Sequence, residues 1–317
     1  MRIRATVAAV TGALALSALA VPAAQADGSP SREDAAELVR AVRAAKQAGS
    51  EDAAASGRSL AAAEDGVPYD LDLSFSNVKV NGGKPIVAGI SNKVTAPVTY
   101  TVTHGADVDI FADDFLMDIE LYRGTDYWTA FDAGNYLIGD DWPVCTAVSS
   151  TEATCKGTID IYPDLELSNA DATTWKTYGY ALAYNGQDPD GPDWSQVGYT
   201  ETDPIGVTTK LQRYSKLSVN ASPEPVVKGK TITVTGKLTR ANWDTLSYAG
   251  YTNQPVKLQF KKKGTDTYTT IKTVYTNSYG NLKTTYTASA DGYWRWNFAG
   301  TSTTPAVKSS ADYVDVQ

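Results

Sequence analysis

From residue 69 onward the sequence alternates Val, Ile, Leu or aromatic residues with Thr, Ser or charged ones, and it breaks every few positions at Asn, Asp or Gly. A period of two broken by turn residues feeds short strands and starves helices. Leu71, Leu73 and Phe75 alternate with Asp72 and Ser74, and Asn81-Gly82-Gly83 is a turn signal. Val98, Tyr100 and Val102 alternate with Thr99, Thr101 and Thr103 before a turn at His104-Gly105. An aromatic-rich stretch, residues 175–184, ends at Asn185-Gly186. Further on, Val256, Leu258 and Phe260 alternate with Lys257, Gln259 and Lys261. Trp294, Trp296 and Phe298 alternate with Tyr293, Arg295 and Asn297, so one set is expected to fill a core and the other to face outward. The pattern predicts an all-β chain of two antiparallel β-sandwich domains, residues 69–209 and 210–317.

The second block reads as about seven strands in roughly 100 residues, the size of one Ig-type sandwich. Its motifs resemble those of the Ig-like β-sandwich repeats found on secreted proteins of actinomycetes. They are Val227-Lys228-Gly229-Lys230 with Val234-Thr235-Gly236-Lys237-Leu238; Pro255-Val256-Lys257-Leu258-Gln259-Phe260; Thr276-Asn277-Ser278-Tyr279-Gly280; and Gly292-Tyr293-Trp294-Arg295-Trp296-Asn297-Phe298-Ala299-Gly300. The resemblance covers roughly the last third of the chain. It implies a structural or adhesive module, and for some relatives a generic calcium-binding label.

The beginning of the chain sets the expected compartment. Arg2 and Arg4 precede an apolar run over residues 5–21, and Ala24-Gln25-Ala26 supplies small residues for cleavage before Asp27. Residues 1–26 therefore read as a secretory signal peptide. No later stretch is long and apolar enough to span a bilayer. The expected location is extracellular, secreted or loosely held at the cell wall. Residues 27–68 are Ala-rich and charged. Residues 33–47 have helical propensity, with Leu38 and Val42 on one face. That face looks too thin to bury much, so a marginal helix and then a flexible linker over residues 50–66 are expected. The only cysteines, Cys145 and Cys155, bracket a strand–turn–strand segment, and in an oxidising compartment they predict one disulfide across a hairpin.

Charge is divided sharply. Without Arg2 and Arg4 the chain holds 26 basic and 36 acidic residues, net −10. Residues 69–209 carry 22 acidic and 6 basic residues, net −16, whereas residues 210–317 carry 6 acidic and 15 basic, net +9. An exported chain of net −10 is not expected to bind nucleic acid.

Signatures of bond-making chemistry are missing from the sequence. His104 is the only histidine, at an expected hairpin tip. Ser76-Asn77-Val78-Lys79 matches the SxxK string of penicillin-interacting enzymes, but that string needs a helix N-terminus and this segment reads as a strand. The chain is therefore expected not to be an enzyme. Carboxylates are abundant: Asp107, Asp109, Asp113, Asp114, Asp118 and Glu120 form one run, and Asp188, Asp190 and Asp193 surround Gly191. The latter loop reads either as Ca²⁺ ligands or as an ordinary Asp/Pro/Gly turn. Lys261, Lys262 and Lys263 mark a basic hairpin tip, and Tyr293 and Arg295 lie on the outward side of their strand. These five residues form a candidate surface for an anionic cell-wall polymer, a glycan or an extracellular protein. Edge protection and cross-strand packing are the alternative reading.

Overall fold

The computed structural model describes residues 31–56 and 66–317. The expected signal peptide lies outside the described residues. No helix among the described residues is long and apolar enough to cross a membrane. Strands dominate, and most pair antiparallel. The chain divides into two compact units that interleave in sequence. Unit 1 takes the residues up to Gly83, then Thr95–Asp160 and Lys176–Thr208. Unit 2 takes Lys84–Val94, Ile161–Trp175 and Thr209–Gln317.

In unit 1, one sheet runs in the order β1 (Tyr69–Asp70), β10 (Gly198–Thr202), β9 (Thr174–Ala183), β5 (Phe115–Tyr122) and β6 (Tyr136–Leu137). A second sheet runs β2 (Leu73–Val80), β4 (Val94–His104), β8 (Glu152–Ile161) and β7 (Val144–Ala147). The alternation of β4 buries Val98, Tyr100 and Val102 and leaves Thr99 and Thr103 exposed. Gly179 of β9 shows how closely the sheets approach. A Cβ there would lie 2.9 Å from Ile119 of its own sheet and 3.2 Å from Phe75 of the other.

Strand β5 departs from simple alternation, because every residue from Leu116 to Tyr122 is buried. Ile119 faces the second sheet, while Leu116 and Tyr122 pack beneath α1 (Arg32–Ser56) and α2 (Tyr127–Asp132). A strand covered on both faces must bury its polar side chains too.

Helix α1 forms over the residues expected to be helical and extends beyond them. It runs for 25 residues, into the stretch expected to be linker, and Ala35, Val39 and Val42 are fully buried. The apolar face is narrow, as read, but small side chains let the helix lie close on a layer of tyrosines. Tertiary packing then supplies what propensity lacks.

In unit 2, the long strand β14 (Thr231–Asn242) pairs on one side with β12 (Ser215–Leu217) and β13 (Asn220–Ser222). On the other it pairs with β15 (Ser247–Gly250) and β18 (Asn281–Thr287). The facing sheet runs β17 (Thr269–Tyr275), β16 (Pro255–Lys262), β19 (Gly292–Phe298) and β20 (Val307–Lys308), with β21 (Asp312–Val314) also on β19. A short parallel pair, β3 (Ile86–Ala88) with β11 (Thr208–Arg213), belongs to the same unit. The alternation of β19 is realised: Trp294, Trp296 and Phe298 are buried, with Tyr293, Arg295 and Asn297 half-exposed. The three aromatics pack with Ile232, Val234, Leu238, Val256, Leu258 and Leu282 from both sheets.

Trp296 ties the two sheets together. Its Nε1–H donates to the Thr235 carbonyl at 2.9 Å, and a Cβ on Gly236 would come within 2.6 Å of the indole and 2.5 Å of the Ser218 carbonyl oxygen. Only glycine leaves that space. Trp296→Ala is expected to cost unit 2 roughly 3–5 kcal/mol through the cavity and the orphaned carbonyl, read as a lowered unfolding midpoint in denaturant followed by intrinsic fluorescence.

Candidate binding surfaces

The outward face of the β16–β19–β21 sheet interleaves cations with tyrosines. Register sets the pattern: Lys261 stands opposite Tyr293, Gln259 opposite Arg295, and Tyr293 opposite Tyr313. Lys261 Nζ lies 4.8 Å from the Tyr293 ring centre and 5.5 Å from that of Tyr268, and the Arg295 guanidinium stacks 3.6 Å over Tyr268. Arg295 Nε donates to Gln259 Oε1 at 2.8 Å, which fixes its plane. Tyr293 and Tyr313 ring centres are 5.1 Å apart. Lys262 ends β16, and Gly264, at φ +80°, makes the hairpin turn. Lys263 pairs with Asp291 at 3.2 Å and lies 5.5 Å from the Tyr313 ring. Tyr313 and Asp291 together hold the Lys263 ammonium above the usual lysine range, and the Val316 amide, then Lys263, hold Asp291 below the usual carboxylate range. The structure thus brings Lys261, Lys263, Tyr293 and Arg295 onto one face, with exposed Lys262 at its end.

A second cluster, which sequence reasoning did not assemble, lies in unit 1 under α1. Cross-strand pairs place Asp118 beside Tyr180, Glu120 beside Tyr178, and Tyr180 beside Glu201. Helix α2, capped by Asp126 accepting from the Thr129 amide, adds Tyr127, Trp128 and Phe131. Tyr127 stacks on Tyr178 with ring centres 3.8 Å apart and donates its hydroxyl to the buried Glu120. Glu201 Oε2 accepts from Tyr199 Oη at 2.7 Å, Tyr178 Oη at 3.0 Å and Trp128 Nε1 at 3.1 Å, while its Oε1 accepts from Arg43 Nε at 3.1 Å.

These two carboxyls respond oppositely to their surroundings. Burial pushes Glu120 upward, against the Tyr127 hydrogen bond and Arg32. Burial also pushes Glu201 upward, but three hydrogen bonds and Arg43 outweigh it and hold the carboxyl below its usual range.

Four cations of α1 meet this layer, each with one carboxylate and at least one ring. Arg32 pairs with Asp118 and lies 4.7 Å from the Trp142 ring centre. Arg40 pairs with Asp132 at 2.5 Å and lies 5.1 Å from Phe131. Arg43 pairs with Glu201 and lies 5.3 Å from Trp128. Lys46 pairs with Asp70 and lies 5.7 Å from Tyr199.

The remaining candidates separate. Among the described residues no three His, Cys, Asp or Glu side chains are grouped to hold a metal ion. Asp188 Oδ1 accepts from the Asp190 amide at 3.0 Å and Asp193 Oδ1 from the Ser195 amide at 3.1 Å, so both side chains brace their own turns. The run from Asp107 to Glu120 is split by the fold. Asp109 and Asp114 bond loop amides, while Asp118 and Glu120 point into the buried layer of β5. His104 closes β4, its Nδ1 2.9 Å from the Gly105 carbonyl oxygen. Ser76 and Lys79 lie within strand β2, without the helix terminus their string needs. Cys145 and Cys155 form a disulfide between directly paired positions of β7 and β8.

The chain is an all-β protein of two sandwich units, with two charged aromatic surfaces. No family model and no curated protein matches it. Some solved structures match it at low identity and low TM-score. A marsupial T cell receptor is 10% identical, with 77% of this chain and 73% of that chain covered at a TM-score of 0.34. The mouse nectin-like molecule 4 ectodomain is 11% identical, with 78% and 65% covered at 0.21. The Yersinia pseudotuberculosis adhesin InvE is 12% identical, with 77% and 60% covered at 0.22. The chain spans less than two thirds of the last two. The strand pairings above carry the fold, and likenesses of this depth carry nothing about ligands.

The Glu120 environment has a testable sign. With its folded pKa raised, ionisation opposes folding, so stability falls as pH rises from the unfolded carboxylate value through the folded one. Glu120→Gln keeps the acceptor for Tyr127 and removes the charge. It is expected to raise the melting temperature at about pH 7.5 and to give no gain at about pH 3.5, where the unfolded carboxyl is largely protonated. Glu201 has the opposite sign: its stabilisation is present above the unfolded carboxylate value and is lost as pH falls through the depressed folded value. Glu201→Ala, which strands buried donors, is expected to cost roughly 2–3 kcal/mol at neutral pH, read by denaturant unfolding.

Proposed function

We propose that the chain is an exported, non-enzymatic binding protein that holds an anionic polymer of the cell envelope through the outward face of unit 2. One observation carries this reading. Lys261, Lys263 and Arg295 lie beside tyrosine rings on one sheet face with exposed Lys262 at its end, and among the described residues only Lys263 of the four is ion-paired. A cation stacked on tyrosine keeps its charge while losing conformational freedom, so less entropy is lost when a phosphate or carboxylate arrives. The net +9 of residues 210–317 supplies longer-range attraction of the same sign.

A neutral glycan is a second reading, favoured by a different feature. An open groove of about 660 Å³ in unit 2 is lined by Asn220, Lys237, Tyr275, Asn277, Asn281 and Lys283, a mixture of amides, cations and one exposed ring suited to sugar hydroxyls.

The experiment is a pull-down of the mature chain on purified anionic cell wall. Retention is expected at low salt and release by about 0.5 M salt, as charge screening shortens. The Lys261→Gln/Lys262→Gln/Arg295→Gln variant is expected to bind at least about tenfold more weakly, equivalent to roughly 1.4 kcal/mol. Retention indifferent to both salt and the triple variant would defeat the electrostatic reading, and a glycan-array signal lost with Tyr275→Ala would favour the sugar.

A further inference from the structure

Two arginines of unit 2 stand close together, and among the described residues neither is ion-paired. Arg213 ends β11, and Arg240 lies in β14 opposite Ser215. Arg213 is only 7% exposed. Its Nε donates to the Ala241 carbonyl at 2.5 Å, which fixes the guanidinium plane and leaves both Nη groups without an acceptor among the described residues. Arg240 is half-buried and stacks 3.8 Å over the Tyr251 ring. Its Nη1 makes only long contacts, 3.3 Å to Thr304 Oγ1 and 3.4 Å to Thr303 Oγ1. Asp244 acts on Arg213 from beyond ion-pair reach and itself accepts from the Asn169 amide and side chain. Burial and then the Arg240 charge push Arg213 down to about 10, and burial lowers Arg240 as well. Two cations withdrawn from water repel each other unless an anion offsets them.

The loop beside them is held still. The Thr301 amide donates to the Thr304 carbonyl at 2.8 Å, and the Arg213 amide to the Thr303 carbonyl at 3.0 Å. Gln212 Nε2 donates to the Thr301 and Ser302 carbonyls, each at 3.1 Å. With its carbonyls tied back, the loop presents hydroxyls to the arginines. Thr301 Oγ1 lies 3.3 Å from Tyr251 Oη and 3.4 Å from Thr303 Oγ1. Contacts of that length are weak, so these hydroxyls are free to turn and donate elsewhere. Thr304 is fully buried, whereas Thr301 and Ser302 are exposed, so the cluster opens to solvent on one side.

We propose that Arg213, Arg240 and the loop over residues 301–304 bind a tetrahedral oxyanion, a phosphate or sulfate group. The Nη pair of Arg213 takes two oxygens side by side, Arg240 takes a third, and the threonine hydroxyls donate to what remains. A planar carboxylate has two oxygens and leaves one cation unmatched. None of these residues belongs to the lysine-bearing face of β16 and β19, so the site stands whether or not that face holds a polymer.

Titration calorimetry of the mature chain tests this. Inorganic phosphate is expected to bind with a Kd on the order of 1 mM, at least about tenfold tighter than acetate at equal ionic strength. Glycerol phosphate separates two sources of the group: equal binding assigns it to an ester, and binding of inorganic phosphate alone assigns it to the free ion. Arg240→Gln is expected to weaken phosphate at least about tenfold, and Arg240→Lys, which keeps the charge and loses the fork, by less. Thr303→Val, a half-exposed change that spares both arginines, is expected to weaken it about threefold. The Lys261→Gln/Lys262→Gln/Arg295→Gln variant is expected to bind phosphate as the unaltered chain does, so this site and the polymer-binding face fail separately. Phosphate held no tighter than acetate by the unaltered chain overturns the proposal. So does an unchanged Kd in Arg240→Gln with native circular dichroism, or loss of phosphate binding in the triple variant.

Discussion

A sheet covered on both faces cannot leave a charge unpaired, and unit 1 is built around that constraint. β5 buries every residue from Leu116 to Tyr122, including Asp118 and Glu120. Moving a carboxylate out of water is costly unless donors replace the solvent. The tyrosines do so: their rings fill the space that a core requires, and their hydroxyls reach the carboxylates. Helix α1 completes the arrangement from above with four cations. The acidic excess of residues 69–209 is therefore partly structural, and the position of α1 follows from it.

Unit 2 uses the same residue types with the sides reversed. Its core is apolar, held by Trp294, Trp296 and Phe298 between two sheets. Another set of its tyrosines and cations stands outside, on the face of β16, β19 and β21, where Tyr268 and Tyr293 lie against Arg295 and Lys261. In unit 1 an aromatic ring is a buried hydrogen-bond donor; in unit 2 it is an exposed platform.

The strands were legible because period-two alternation is a local property. Trp294, Trp296 and Phe298 face the core as their spacing predicts. The cysteines bridge a hairpin for the same reason: residues close in sequence and separated by one turn come to lie opposite each other. Helix α1 was underestimated because its stability comes from the tyrosine layer it touches, which no window of residues 27–68 contains. The acidic run ending at Glu120 looked continuous, yet a loop-to-strand boundary sends its members to different environments. Arg43 and Glu201, 158 positions apart, carried no local signal of their contact.

By itself the sequence determined the alternation that makes strands, the division into an acidic and a basic block, the cysteine pair and the tyrosine-rich composition, because each is a matter of residue type and short-range order. Only tertiary structure decided which carboxylates are buried and braced by hydroxyls, which cations stack on rings, and that a thin helix closes one face of a sheet. Those outcomes depend on distances between residues far apart in the chain, and such distances are set by how sheets stack.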